Sequence, residues 1–306
     1  MPCLPVGDDL REVTAAIRGS LAPKTWACYA AAWSSWLSFT SMEGYQASGH
    51  SEGAILAFLA SLMRQHFSHS HVTKVLAGIS FYFRLLGLKP CSDYFSVRQA
   101  LKGYRRGNCS KDERRPISLD ILSGLCRATS AVCFSDYEAL LFRTAFALAY
   151  FGAFRISELI PANKKGVSGI RLEHVVLDRE RVHIWLSCSK TDQGGRGRWV
   201  ELKVQDGLAT CPVALVKQFL GVRPPGGGNF LTHLDLLPLT KYQFDAVLKR
   251  SLGIMGLAAY KFSSHSFRIG AASEAARAGV PEGDIKALGR WKSNCYQVYV
   301  RPNLFI

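Results

Sequence analysis

Over residues 170–203 of a 306-residue chain that is otherwise patterned for helix, the hydrophobic period falls to two. "IRLEHVVL" (170–177), "RVHIWLSC" (181–188) and "RWVELK" (198–203) alternate apolar with polar residues, separated by "DRE" and by the glycine-rich "KTDQGGRG". That is the signature of a three-stranded antiparallel meander. The expected fold class is therefore mainly α with a small antiparallel β-meander, an α+β arrangement.

Before the meander, apolar and aromatic residues recur at helical spacing. Trp26, Tyr29, Trp33, Trp36 and Leu37 open the series, followed by the Ser-capped "SEGAILAFLASLMRQ", then "HSHVTKVLAGISFYFRLLG" closing on Gly87 and "SVRQALKGYRRG" closing on Gly107. These predict an N-terminal bundle of four or five helices with the aromatic stripe as its core. "RRGNCSKDERRPISLD" (105–120) is polar and charged, as a linker would be, and places the domain boundary between 1–110 and 111–306. Beyond it, "SDYEALLFRTAFALAYFG" predicts a buried helix capped by Ser135, with the short helix "FRISELIPA" directly after its turn. After the meander, helices return at "CPVALVKQFL", at "TKYQFDAVLKRSLGIMG" and in the terminal stretch from His265.

Composition narrows the class of protein. No apolar run has the length needed to span a bilayer, and "MPCLPVGDDLREV" is too acidic for a secretion signal; a soluble intracellular protein is expected. Nine cysteines without a CxxC pair argue against a disulfide framework and a zinc site. His66, His69 and His71 have no Cys or carboxylate beside them and read as a helix face or turn rather than as metal ligands. The formal charge is +15, with 11 Lys and Arg against 6 Asp and Glu in residues 1–110 and 27 against 17 in residues 111–306. Positive charge spread through folded sequence fits a polyanionic partner that is neutralised phosphate by phosphate, and a merely soluble basic protein is the alternative that composition does not decide against. In the N-terminal half, Lys24, Lys74, Arg98, Lys102, Arg105 and Arg106 lie outside the apolar stripes and are free to meet DNA.

Several polar residues have no structural use in such a helical domain. Arg155 begins a helix directly after the apolar "ALAYFGAF", where a buried unpaired arginine would be costly and an anion is wanted; Glu158, three residues on, can orient it. Lys190 stands at the hairpin tip in "CSKTDQGGRG". His265 and Arg268 share a face at a helix start, with Ser263 or Ser264 as cap. Trp291 offers an indole N–H donor, and Tyr299 follows eight residues later. Arginines that grip non-bridging oxygens, a donor, proton-handling His and Lys, and a phenol make a kit for phosphoryl transfer without metal or other cofactor. A phenol is unreactive at its usual pKa of about 10, but cationic neighbours bring the phenolate within reach.

In this order, "FRISEL", "SKTD", "HSFRIGAA", "GRW" and "YQVYVR" resemble the tyrosine recombinases, the phage integrase family. "HSxRxGAAxxxARAGV" with "GxW…Y(V/I)R" looks like its Trp-containing branch, which includes Cre, and "LGRWKS…Y…YVR" is similar to recombinases of DIRS-type and Crypton-type eukaryotic mobile elements. The motifs cover most of residues 111–306; the N-terminal bundle fits the family's core-binding domain by position and character. The resemblance implies that Arg155 and Arg268 bind the scissile phosphate, Glu158 braces Arg155, Lys190 protonates the leaving 5′ oxygen, and His265 assists proton transfer. Trp291 takes the place often held by a second histidine, and Tyr299 attacks phosphorus to give a 3′-phosphotyrosine. Double-stranded DNA is the implied partner, with a homo-tetramer on paired sites and a monomer allowed in solution. A nuclear location follows if the likeness to eukaryotic elements holds, and a cytoplasmic one otherwise.

Two departures stand beside this. The Trp-to-Tyr interval is eight residues where many members have nine, which makes Tyr296 a rival nucleophile, although the "YVR" context favours Tyr299. Only "VRPNLFI" follows Tyr299, less than the helix that many relatives lend to a neighbouring subunit. The rival readings are a type IB topoisomerase-like enzyme and a domesticated, inactive DNA-binding protein; the latter would be marked by a missing catalytic group, and none is missing.

Overall fold

The computed structural model describes residues 11–45, 51–108, 112–166, 168–187 and 197–304. The chain folds as two compact units, Met1–Asp112 and Glu113–Ile306.

The first unit contains α1 (Arg11–Gly19), α2 (Pro23–Met42), α3 (Glu52–Arg64), α4 (His69–Leu85) and α5 (Phe95–Gly107). Local chemistry sets the helix starts. Pro23 occupies the first turn of α2, where its missing N–H costs nothing, and the hydroxyls of Ser51 and Ser68 accept from the backbone of Ala54 and His71, each at 3.2 Å. The aromatic stripe forms the core: Trp36 is 1% exposed and meets Phe58 and Phe83 edge-on. Removing so large a buried ring costs about 3–5 kcal/mol. Leu37, placed in that stripe by the sequence, is exposed, because one residue past Trp36 turns a side chain about 100° away from the core face.

In the second unit, α6 (Leu119–Val132), α7 (Asp136–Phe151) and the single-turn α8 (Ile156–Leu159) precede β1 (Val175–Leu177), β2 (Arg181–Leu186) and β3 (Arg198–Lys203). The helices α9 (Pro212–Val222), α10 (Lys241–Ile254), α11 (His265–Arg277) and α12 (Glu282–Gly289) follow, then a 3₁₀ turn, Asn294–Val298. Ser135 caps α7 by accepting from Glu138 N at 3.2 Å. This helix is the spine of the unit, with Leu141, Phe142, Ala145, Phe146 and Leu148 all buried. The ring of Phe146 stacks on Phe267 of α11 at 5.4 Å and meets Phe244 of α10 edge-on at 5.1 Å.

The three strands pair antiparallel in the order β1-β2-β3, with Val175 opposite Ile184 and Trp185 opposite Trp199. Val182, Ile184, Leu186 and Leu202 face the core, while Trp199, Glu201 and Lys203 face outward. Two elements differ from the sequence reading. The first strand is shorter than "IRLEHVVL" because Ile170 and Leu172 bond the loop at Gly228 and Phe230 instead, and Leu172–His174 then form a 3₁₀ turn. Helix α6, which the sequence left unassigned beyond the linker, begins at Leu119 with the Ser118 hydroxyl accepting from Ile121 N at 3.2 Å. No described helix is long and apolar enough to cross a membrane.

Candidate active site

The turn between α7 and α8 is the floor of the site. Ala153 there takes a left-handed φ of 41°, and Arg155 follows as the N-cap of α8. Glu158 reaches back to it twice, accepting from the Arg155 backbone at 2.9 Å and from its guanidinium at 2.7 Å. The carboxylate is almost wholly buried, whereas the Arg155 side chain keeps 18% exposure. A guanidinium held from behind by a carboxylate still presents donors forward.

The other oxygen of the pair is shared with a residue to which the sequence reading gave no role. Helix α12 stops at Gly289, and Arg290 takes the left-handed cap conformation (φ 58°) usually left to glycine or asparagine. Its side chain turns inward and donates to Gly152 O at 2.8 Å, Ala153 O at 3.1 Å and Glu158 Oε2 at 3.0 Å. Burial raises the Glu158 pKa, but the charge of Arg290 and the hydrogen bonds from Arg155 outweigh it, and the carboxyl is held below its ordinary value. Arg290 itself is pushed down by burial, against the pull of Glu158. "GRW" contained the arginine, but its partner lies 132 residues away in sequence, beyond the reach of any local pattern.

Helix α11 supplies the next two groups. The Ser263 hydroxyl accepts from His265 N at 3.2 Å, while Ser264, the other expected cap, makes no side-chain capping bond. Arg268 is fully buried and donates to Ala153 O and Gly289 O. Its guanidinium carbon lies 4.2 Å from the Trp291 ring and 5.3 Å from the Tyr299 ring. Gly289 is required here, since a Cβ on it would stand 1.8 Å from the Trp291 ring. Burial pushes the Arg268 guanidinium down to about 10, and the charges of Arg155 and Arg290 add to the shift while Glu158 and Tyr299 oppose it. Nε of Arg268 and Nε1 of Trp291 are buried without a hydrogen-bond partner among the described residues. Three guanidiniums gathered near one carboxylate, with unsatisfied donors beside them, leave an excess of positive charge that favours an anion.

Tyr299 completes the cluster. Its ring lies 4.9 Å from His265 and 4.9 Å from Trp291. Tyr296 is 9% exposed in a small cluster with Ala272, Ile285 and Trp291, its ring 6.4 Å from that of Trp291 and 5.4 Å from the Lys286 ammonium. The structure thus brings Arg155, Glu158, His265, Arg268, Trp291 and Tyr299 together; Lys190 lies outside the described residues. His174 falls in a 3₁₀ turn, and His183 on β2 pairs with Asp178 at 3.3 Å, both away from these contacts. On α5 the basic residues Arg98, Lys102, Arg105 and Arg106 are exposed opposite Val97, Leu101 and Tyr104, which pack inward. Lys24 and Lys74 are exposed on α2 and α4.

Among the described residues no group of three His, Cys, Asp or Glu is placed to hold a metal. The His71 ring stacks on Phe67 at 4.4 Å, and burial pushes the Cys91 and Cys126 thiols up to about 11 and about 12, as inert core groups.

No family profile matches the chain. One curated relative, the integrase/recombinase xerD homolog of Selenomonas ruminantium, is 28% identical over 152 residues, which are 48% of this chain and 42% of that protein. The chain therefore spans less than half the length of that relative. Among solved structures, a lambda integrase dimer bound to a COC′ core site superposes with a TM-score of 0.64 at 16% identity, covering 96% of this chain and 76% of that one. XerH site-specific recombinase bound to a palindromic difH substrate, a post-cleavage complex, gives 0.62 at 15% identity over 91% and 75%. Both share the mainly helical fold with its small antiparallel sheet. Sequence and fold likeness thus support the tyrosine recombinase resemblance, but they do not reach its Trp-containing branch or the DIRS-type and Crypton-type recombinases.

Proposed function

We propose that this protein is a site-specific tyrosine recombinase that cuts and rejoins DNA strands through a covalent 3′-phosphotyrosine, without metal or ATP. The observation that carries the reading is the buried Arg268, unpaired at Nε and set against both Trp291 and Tyr299. The positive charge gathered here suits a phosphodiester, and one bound at this cluster would lie beside a phenol. Arg155 and Arg268 bind its non-bridging oxygens and offset the charge that grows in the transition state; removing one such donor typically costs about 10²–10³ in rate. Glu158 braces Arg155, and Trp291 donates its indole N–H.

In the cleavage step the Tyr299 oxygen attacks phosphorus, the bond from phosphorus to the 5′ oxygen breaks, and that oxygen takes a proton from Lys190. His265 assists the proton transfers at the tyrosine. The phosphotyrosine conserves the energy of the broken bond, so a 5′ hydroxyl from another strand reverses the reaction and joins to it. Duplex DNA is the partner, gripped by the catalytic unit and by the basic faces of the helical unit as a core-binding domain. Its exposed Arg98, Lys102, Arg105, Arg106, Lys24 and Lys74 neutralise backbone phosphates. The DNA complexes of lambda integrase and XerH support this partner, and the lambda dimer supports assembly of copies on DNA. A homo-tetramer on paired sites would complete the exchange. Trp291, in place of a histidine, is what favours the Trp-containing branch.

A nicked suicide duplex tests the proposal. It should trap a protein–DNA adduct that survives detergent and forms equally in the presence of a chelator. Tight binding with no adduct would make the chain an inactive DNA-binding protein, and plasmid relaxation without exchange between two sites would make it topoisomerase-like.

A further inference from the structure

Tyr299 caps a 3₁₀ turn, an element with few hydrogen bonds of its own, yet its main chain is held from two sides. The hydroxyl of Ser273, fully buried on α11, donates to Tyr299 O at 3.1 Å and accepts from Arg301 N at 2.8 Å. The side chain of Arg301 then bridges two carbonyls, donating from Nε to Val298 O at 3.1 Å and from Nη1 to Arg114 O at 2.8 Å. Arg114 lies one residue beyond the boundary at Glu113. From there the chain runs along the start of α11 as a strap: Arg115 N donates to Lys261 O at 2.8 Å and Ile117 N to Ser266 O at 3.1 Å. Gly270 sits so close beneath the strap that a Cβ would stand 1.8 Å from Ile117 O. The turn carrying the phenol, the helix carrying His265 and Arg268, and the first residues of the unit are therefore one hydrogen-bonded assembly.

We propose that Arg301 and Ser273 are positioning residues for Tyr299. They fix the main chain around the nucleophile and tie it to the strap through which the linker enters the catalytic unit. This rests on the reading of Tyr299 as nucleophile. The ring contacts of Tyr299 with His265 and Trp291 orient the phenol, but its reach toward phosphorus is set by the backbone, and an error of about 1 Å in a reacting group costs about 10²-fold. Arg301 is thereby given a different task from that of a surface arginine on a phosphate. A phosphate contact needs only its charge, whereas bridging Val298 O and Arg114 O needs the fork of a guanidinium, which lysine lacks.

The experiment uses the full chain and a suicide duplex carrying the site that the protein selects from a random-sequence pool. Single-turnover cleavage at saturating DNA and the half-saturating DNA concentration are measured for wild type, Arg301→Lys, Arg301→Ala and Ser273→Ala. All three variants should cleave about 10- to 100-fold more slowly, with half-saturation and its salt dependence as in the wild type. Wild-type rates in the Arg301 variants would overturn the inference. So would weaker binding in Arg301→Ala, with a salt slope flatter by about one and recovery in Arg301→Lys, because that is the signature of a phosphate contact. If Ser273→Ala does not fold, the two Arg301 variants decide the matter. A wild type that forms no adduct removes the reading of the site itself, and this inference with it.

Discussion

Arg268 is a charged residue with no exposed surface, and at residue scale that fact organises the site. Its position was legible: "HSFRIGAA" sets it three residues after His265, and "FRISEL" sets Arg155 three before Glu158. Arg155 and Glu158 meet as the two halves of a capping box at the start of α8, and His265 and Arg268 lie one turn apart on α11. Arg290, Ser273 and Arg301 were not legible as parts of the site, since each earns its place through a carbonyl or carboxylate from a distant segment. The ion group predicts a definite pH behaviour. Glu158 has its folded pKa depressed by Arg290 and Arg155, so its stabilisation is present in full above the unfolded value, near 4.3, and is lost as pH falls through the folded value. Glu158→Gln should lower stability at pH 7 by about 3–5 kcal/mol, because it leaves a buried guanidinium without its carboxylate. Melting curves of the two proteins should converge as the pH is taken below 4; a gap that stays constant would show that the carboxylate charge is not what holds the arginines.

At the scale of elements, the meander, the capped α3 and α7 and the aromatic stripe followed from period and capping chemistry, which are local. What the sequence left out was α6 and the pairing of 170–172 with the loop at 228–230, and these depend on what lies opposite. Helices α11 and α12 show the difference between two glycines. A side chain at Gly270 would collide with the backbone of Ile117, whereas Gly283 of α12 has nothing within 4 Å. Gly270→Ala should therefore destabilise by about 1–3 kcal/mol through overpacking, and by displacing the strap it should also slow cleavage. Gly283→Ala should stabilise by about 0.4–1 kcal/mol by restricting the unfolded chain. Thermal melts rank the pair, and the opposite order would mean that α11 is not seated on the strap.

For the whole molecule, a charge of +15 spread over both halves fits the proposed DNA partner without deciding for it, and does not say where DNA would lie. Helix α5 narrows this, for its exposed face carries Arg98, Lys102 and Arg105 at successive turns and no acidic residue. Replacing these three by alanine should flatten the dependence of log affinity on log salt by about three while leaving the catalytic unit's melting unchanged; an unaltered slope would exclude α5 from the interface. The central claim, that an arginine-lined pocket lets a phenol break the DNA backbone, is tested most directly by mapping the DNA-linked peptide from a trapped suicide complex by mass spectrometry. The expected attachment is Tyr299, lost in Tyr299→Phe and kept in Tyr296→Phe. Attachment at Tyr296, or at any residue outside this pocket, would contradict it.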